Sequence, residues 1–193
     1  MSSIQYLETI KAFDGELYNL KYHQRRLDET VKNSNIILKD VLTPPLAGLF
    51  RCRVIYDGRN YEVTYHPYKK KNIKTLKLVF DDDISYSKKY YERNSIDALV
   101  RQKYSCDDIL IVKNGLVTDT SIANIAFKYK NNWITPKKPL LDGTTRARLL
   151  ESHKILEEDI SIKDLENFTQ VALMNAMIDF DIIQNENIRE IIC

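Results

Sequence analysis

The sequence predicts an α+β chain of two mixed lobes, and three observations carry that prediction. Runs rich in β-branched and aromatic residues end at Asp14-Gly15, Asp57-Gly58 and Asn114-Gly115, the turn pairs that join antiparallel strands. Three other stretches carry helix signals instead, and strands and helices alternate along the chain rather than separating into blocks. The triplet Asp81-Asp82-Asp83 interrupts the pattern and reads as part of a linker over residues 81–87. It divides a small N-terminal lobe, 1–80, from a β-rich C-terminal lobe, 88–193.

Ile4 to Phe13 and Glu16 to Leu20 read as two arms of a hairpin. Leu20, His23, Leu27 and Val31 then recur at helical spacing, with Asn19 placed to cap the start and Asn33-Ser34-Asn35 to break the pattern. After Pro44-Pro45 and Gly48, the run Leu49 to Tyr56 alternates, with Phe50, Cys52, Val54 and Tyr56 on one side. Arg51 and Arg53 therefore share the other face. Strands are expected at 61–65 and 76–80, and a helical stretch around Tyr91 to Lys103. A hairpin follows, from Asp108 to Lys113 and on from Leu116. Further strands are expected at 122–129, 133–134 and 170–174, with a helix opening near Thr144 after Gly143.

Composition excludes several classes of function. The 29 basic and 27 acidic residues leave a net charge of +2, too small for a general attraction to nucleic acid or an anionic membrane. Lys69-Lys70-Lys71 is the one dense basic block, a solvated loop face or a phosphate contact. No run approaches the roughly 20 apolar residues of a membrane span, and the N-terminal segment lacks signal-peptide regions, so a cytoplasmic protein is expected. Cys52, Cys106 and Cys193 are far apart and odd in number, which predicts free thiols. His23, His66 and His153 are scattered, so no metal site is expected.

Val117-Thr-Asp-Thr-Ser-Ile-Ala-Asn-Ile-Ala-Phe127 places an acid, hydroxyls and an amide on a strand edge. It is followed by Trp133-Ile-Thr-Pro136 and Leu140-Leu-Asp-Gly-Thr-Thr-Arg146. The ordered set resembles the signature of the class IV aminotransferases and aminodeoxychorismate lyases, the fold-type IV enzymes of pyridoxal 5'-phosphate. Tyr86-Ser-Lys-Lys-Tyr-Tyr-Glu-Arg93 resembles the family's lysine segment, with Lys89 in register and Lys88 one step out. His23-Gln-Arg-Arg-Leu27 resembles its His-x-x-Arg-Leu, which falls on Arg26. Leu173-Met-Asn-Ala-Met177 resembles the Asn-Ala segment of the lyases, where branched-chain aminotransferases have Gly-Thr.

The resemblance implies a cofactor site between two lobes. Lys89 would hold the cofactor covalently and serve as general base, and Asp119, where better-known members carry glutamate, would pair with the ring nitrogen. Arg26, Gly143, Thr144, Thr145 and Asn175 would receive the phosphate. Each has a plainer reading: Asp119 as a turn residue, Arg26 as a surface charge, Asn175 as a hydrogen-bonded core amide. Arg51 and Arg53 would bind a substrate carboxylate or simply face solvent. The expected activity is a lyase forming 4-aminobenzoate and pyruvate from 4-amino-4-deoxychorismate. Alternatives are an aminotransferase for branched-chain or related amino acids and a cofactor-free binding subunit. A small amine or amino acid is the expected substrate, and the resemblance implies a homodimer.

Overall fold

The computed structural model describes residues 4–185 and 187–193. Residues 1–3 of the N-terminal segment read above lie outside them. The chain forms two compact units, one from the chain up to Lys70 together with Lys88–Glu92, the other from Lys71–Ser87 and Arg93–Cys193.

In the first unit β1 (Tyr6–Phe13) turns at Asp14-Gly15 into the short β2 (Glu16–Leu17). Helix α1 (Leu20–Thr30) follows, then α2 (Leu38–Val41), and β3 (Leu49–Tyr56) and β4 (Tyr61–Pro67) complete an antiparallel sheet of order β2-β1-β3-β4. The register pairs Glu8 with Val54, Ile10 with Cys52 and Ala12 with Phe50, so these residues share one face. That face packs with Leu27, Ile36, Leu38 and Tyr56 into the unit's core. Asn19 starts α1 differently from expectation. Its backbone is left-handed (φ 55°) and its side chain makes no capping bond. Asparagine tolerates that conformation, so it turns the chain into the helix instead of capping it.

The second unit begins with β5 (Leu76–Phe80), which pairs in parallel with β6 (Asp108–Lys113) through α3 (Asn94–Val100) and a 3₁₀ turn, Arg101–Lys103. Asn114 and Gly115, both at positive φ, then turn β6 into β7 (Leu116–Thr120). The sheet continues through β8 (Asn124–Tyr129), β9 (Asn132–Pro136) and, after α4 (Thr144–Glu151), the parallel β10 (Leu156–Glu158). Strand β11 (Gln170–Asn175) pairs with β8 and with β12 (Asp179–Ile182), and α5 (Ile188–Ile191) closes the unit. Strand β6 is buried on both faces. Leu110 joins Leu76, Ile125, Phe127, Val171 and Leu173, while Ile109 and Ile111 pack with Val79, Ile96 and Leu99. This is why Ile109 to Val112 are continuously apolar.

The expected lobe boundary moves in two places. Strand β5 leaves the N-terminal lobe because its partner is β6. Residues 88–92, assigned by sequence to the C-terminal lobe, belong to the first unit because they lie along the start of β1. There the Leu7 amide donates to the Lys89 carbonyl (2.8 Å), the Tyr91 amide donates to the Gln5 carbonyl (2.9 Å), and Tyr6 faces Tyr90. No helix among the described residues is long and apolar enough to cross a membrane.

Phe127 is fully buried, its ring 5.1 Å from that of Phe168. Phe127→Ala is expected to lower unfolding free energy by about 3–5 kcal/mol, read as a lower urea midpoint at constant slope.

Candidate active site

In the first unit the core face of the sheet carries one carboxylate, Glu8, opposite Val54. Helical spacing turns His23, Arg26 and Leu27 toward it. Arg26 grips it with two donors, Nε to Oε1 (2.8 Å) and Nη2 to Oε2 (2.6 Å), and His23 Nδ1 lies 2.6 Å from Oε2. Glu8 and His23 have no exposed surface. Burial alone would raise the Glu8 pKa, but the charge of Arg26 and the bonds from His23 and Arg26 outweigh it and hold the acid down at about 2. For His23, burial depresses basicity more than Glu8 restores it, and the positive charges of Arg26 and Lys89 depress it further. The imidazole is therefore neutral, with Nδ1–H donating to Glu8, and its buried Nε2 has no partner among the described residues.

Two adjacent lysines compete for the covalent role, and the structure separates their surroundings. The Lys88 ammonium donates to the Thr30 carbonyl (2.8 Å) and lies 5.4 Å from the centre of the Tyr6 ring. Lys89 is half-buried, and the bridge that sets Tyr90 opposite Tyr6 puts Lys89 opposite Leu7. By strand alternation Arg51 and Arg53 on β3 share the face of Leu7, Thr9 and Lys11 on β1, while the Tyr90 amide donates to the Lys88 carbonyl (2.9 Å) and turns the chain at Lys89. The Arg53 guanidinium lies 5.7 Å from the Tyr91 ring centre, which places that ring on the arginine face. Arg51 is exposed and Arg53 half-buried, so the face away from the core is a cationic surface.

In the second unit Asp119, at the end of β7, is 5% exposed. Asn124 Nδ2 donates to its Oδ1 (2.7 Å), and the amides of Leu140 and Leu141 donate to its Oδ2 (2.8 and 3.0 Å). Three of roughly four acceptor positions on the carboxylate are thus filled. Burial is the largest influence and pushes the Asp119 pKa up to about 6, against these donors and the more distant Arg146. Asn124 Nδ2 also reaches the Leu141 carbonyl (2.9 Å), so one amide ties β7, β8 and the loop before α4. Gly143 follows. A Cβ there would stand 1.9 Å from Asn124 Oδ1, so close approach, not backbone angle, demands glycine. Thr144 and Thr145 are buried in the first turn of α4, whose cap makes no side-chain bond and whose first turn holds no acid. The amides at such a helix start have no intrahelical acceptor and favour an anion.

Asn175 is engaged within the fold. Its Oδ1 accepts from the Met177 and Ile178 amides and its Nδ2 donates to the Ile122 carbonyl, so the side chain builds the turn between β11 and β12. One amide hydrogen lies outside these bonds. Four residues here had no assigned role in the sequence reading: Glu8, His23, Asn124 and Arg146. Glu8 had a signal, a carboxylate in the apolar register between Tyr6 and Ile10. Arg146, buried, donates to the Pro136 carbonyl (2.9 Å) and pairs with Glu157, holding α4 to the strands beside it. Among the described residues no cluster could hold a metal ion.

Comparison with known proteins identifies the family. The family model for amino-transferase class IV matches residues 91–184. A Haemophilus influenzae protein of no stated function is 38% identical over 180 residues, 88% of this chain and 96% of its own length. A crystal structure from Haemophilus somnus, provisionally named a 4-amino-4-deoxychorismate lyase, matches with a TM-score of 0.85 at 38% identity, over 92% of this chain and 98% of that one. A Mycobacterium tuberculosis protein named a hypothetical aminotransferase, in its PLP-bound form, shares the fold, with a TM-score of 0.77 at 17% identity, over 97% and 83% of the two chains. The chain belongs to the class IV aminotransferase and aminodeoxychorismate lyase family of fold-type IV pyridoxal-phosphate enzymes.

The two buried acids make opposite pH predictions. Glu8 is depressed from 4.5 to about 2, so its contribution is complete above pH 4.5 and lost as pH falls toward 2. The shift corresponds to about 3 kcal/mol. Asp119 is raised from 3.8 to about 6, so its contribution is complete below 3.8 and lost as pH rises through 6. Glu8→Gln is expected to lower stability at pH 7 by about 3 kcal/mol or more and to flatten the decline between pH 4.5 and 2, measured by urea unfolding across pH. Gly143→Ala is expected to displace Asn124 and remove its bond to Asp119, seen as faster hydrogen exchange at the Leu140 and Leu141 amides.

Proposed function

We propose that the chain is a pyridoxal-phosphate lyase that converts 4-amino-4-deoxychorismate to 4-aminobenzoate and pyruvate. The observation that carries this reading is the sheet face shared by Arg51 and Arg53, with Lys11 beside them, in the unit that also holds Lys89. A substrate with two carboxylates matches a pair of arginines on one face better than an amino acid with one carboxylate and an apolar side chain does. The provisional name of the 38%-identical Haemophilus somnus protein supports the same choice. Transamination is the alternative. It shares the first proton abstraction, and the Mycobacterium tuberculosis protein named a hypothetical aminotransferase has the same fold, so fold alone does not choose between them.

The residues fit the cofactor. Asp119 is a buried acid, largely ionised at neutral pH with a pKa of about 6, and keeps an acceptor position for a ring N–H. Gly143, Thr144 and Thr145 offer a helix start to the phosphate, and the family resemblance assigns to the same group the charge of Arg26, oriented by Glu8. Asn175 has one amide hydrogen to contribute. When bound, pyridoxal phosphate supplies an electron sink to the carbon bearing the substrate amine. Lys89 would hold the cofactor and, as a free amine, would take the proton from that carbon. Arg51 and Arg53 orient the carboxylates, so the bond to the enolpyruvyl oxygen breaks and pyruvate leaves. In transamination the same amine would serve as both base and acid. A homodimer accompanies this reading as an implication of the family resemblance, and a cytoplasmic location as the expectation drawn from the sequence.

Borohydride reduction after incubation with pyridoxal phosphate, followed by peptide mass spectrometry, is expected to label Lys89. Lys89→Ala should abolish the label and turnover, while Lys88→Ala should retain both. Absence of a specific label would instead favour the cofactor-free binding subunit. With 4-amino-4-deoxychorismate as substrate, pyruvate release should exceed any transfer from leucine to 2-oxoglutarate, and the reverse result would select the aminotransferase. Arg51→Ala and Arg53→Ala are each expected to raise KM by about 10–100-fold.

A further inference from the structure

Two of the three thiols that the sequence separates meet in the second unit. Cys106 Sγ and Cys193 Sγ are 2.7 Å apart although 87 positions separate the residues. The cysteines are free, Cys106 buried and Cys193 exposed. Both are held by backbone. The Cys106 amide donates to the Lys103 carbonyl (2.9 Å), and the Lys103 ammonium donates to the Cys106 carbonyl (3.0 Å). Cys193 is fixed against β5, its amide donating to the Leu76 carbonyl (2.9 Å) and its carbonyl accepting from the Leu78 amide (3.1 Å). Ile192 is bridged to Leu76 in parallel beside it. A disulfide bond of about 2.0 Å therefore needs a closing movement of less than about 1 Å.

We propose that Cys106 and Cys193 form an oxidation site that a small disulfide of the glutathione class converts to an intrachain disulfide. The exposed Cys193 gives up its proton to solvent, and its thiolate attacks one sulfur of the small disulfide. An S–S bond forms to Cys193 as the small disulfide's own bond breaks, and one small thiolate leaves and takes up a proton. Cys106, deprotonated in turn, then attacks the Cys193 sulfur and expels the second small thiol. The protein thiols lose two electrons and two protons, and the small disulfide is reduced to two thiols. The burial of Cys106 leaves it to the second step, where the attacked sulfur is already in contact. The S–H···S contact and burial push the Cys193 thiol up, while the Lys77 ammonium acts in the opposite sense. Exchange therefore quickens as pH rises above neutral. The product would fasten the 188–193 segment, now held to β5 by hydrogen bonds and packing, to the loop that opens β6. Cys52 lies in the first unit's core, its thiol raised to about 11 by burial, and provides an internal control.

The test is to incubate the folded, reduced protein with oxidised glutathione and follow intact mass, free thiols and proteolytic peptides. The expected result is loss of two hydrogens with no glutathione retained, and a peptide pair joined through Cys106 and Cys193. Cys52→Ser should behave the same way, Cys193→Ser should keep its thiols, and Cys106→Ser should accumulate glutathione on Cys193. The oxidised protein should melt roughly 5 °C or more above the reduced one, a difference absent from Cys193→Ser. A lasting glutathione adduct on Cys193 of the unaltered protein would overturn the proposal. So would a cross-link between two chains, or unchanged thiols. Should Cys106→Ser fail to fold, the unaltered protein and Cys193→Ser, altered at an exposed position, still decide the outcome.

Discussion

The second unit's candidate site hangs on the desolvated carboxylate of Asp119. A carboxylate removed from water must find donors nearby, and it finds them in Asn124 and in two consecutive backbone amides of the loop before α4. Those bonds draw Leu140 and Leu141 against the end of β7. The next residues of the loop must then pass Asn124 so closely that only glycine fits at 143, and α4 starts where that passage ends. The acid and the anion-favouring helix start are thus positioned by one network.

Glu8 in the first unit solves the same problem by opposite means. Its donors include a full positive charge, so the acid is held ionised down to about pH 2. Asp119 is satisfied mainly by neutral dipoles, which soften the burial penalty without cancelling it, and its pKa settles near 6. One acid is a fixed structural charge. The other lies close enough to neutrality for its ionisation to respond to what binds beside it.

The sequence conveyed some of this and could not convey the rest. The hairpins at Asp14-Gly15 and Asn114-Gly115 were legible because turn chemistry is local, and Arg51 and Arg53 were placed on one face by alternation alone. The partner of β5 was not legible. Parallel pairing joins residues separated by a whole crossover, and nothing in Leu76 to Phe80 names β6. The motif around Asp119, Asn124 and Gly143 was noticed through family resemblance, but only geometry revealed that these residues touch. Asn175 sat in a matching motif, and its side-chain bonds within a turn were not readable from that motif. The Cys106–Cys193 contact was invisible for the same reason as the β5–β6 pair.

The segment 88–92 reaches β1 only after the chain has built β5 and returned. During vectorial synthesis the first unit's sheet must therefore wait, with that stretch of the β1 edge unpaired, until more than twenty residues beyond Lys70 have emerged from the ribosome. The lysine that matches the family's reactive position is among the last residues to join its own sheet. A chain halted before it would carry an open strand edge, the kind of surface on which nascent proteins pair with the wrong neighbour.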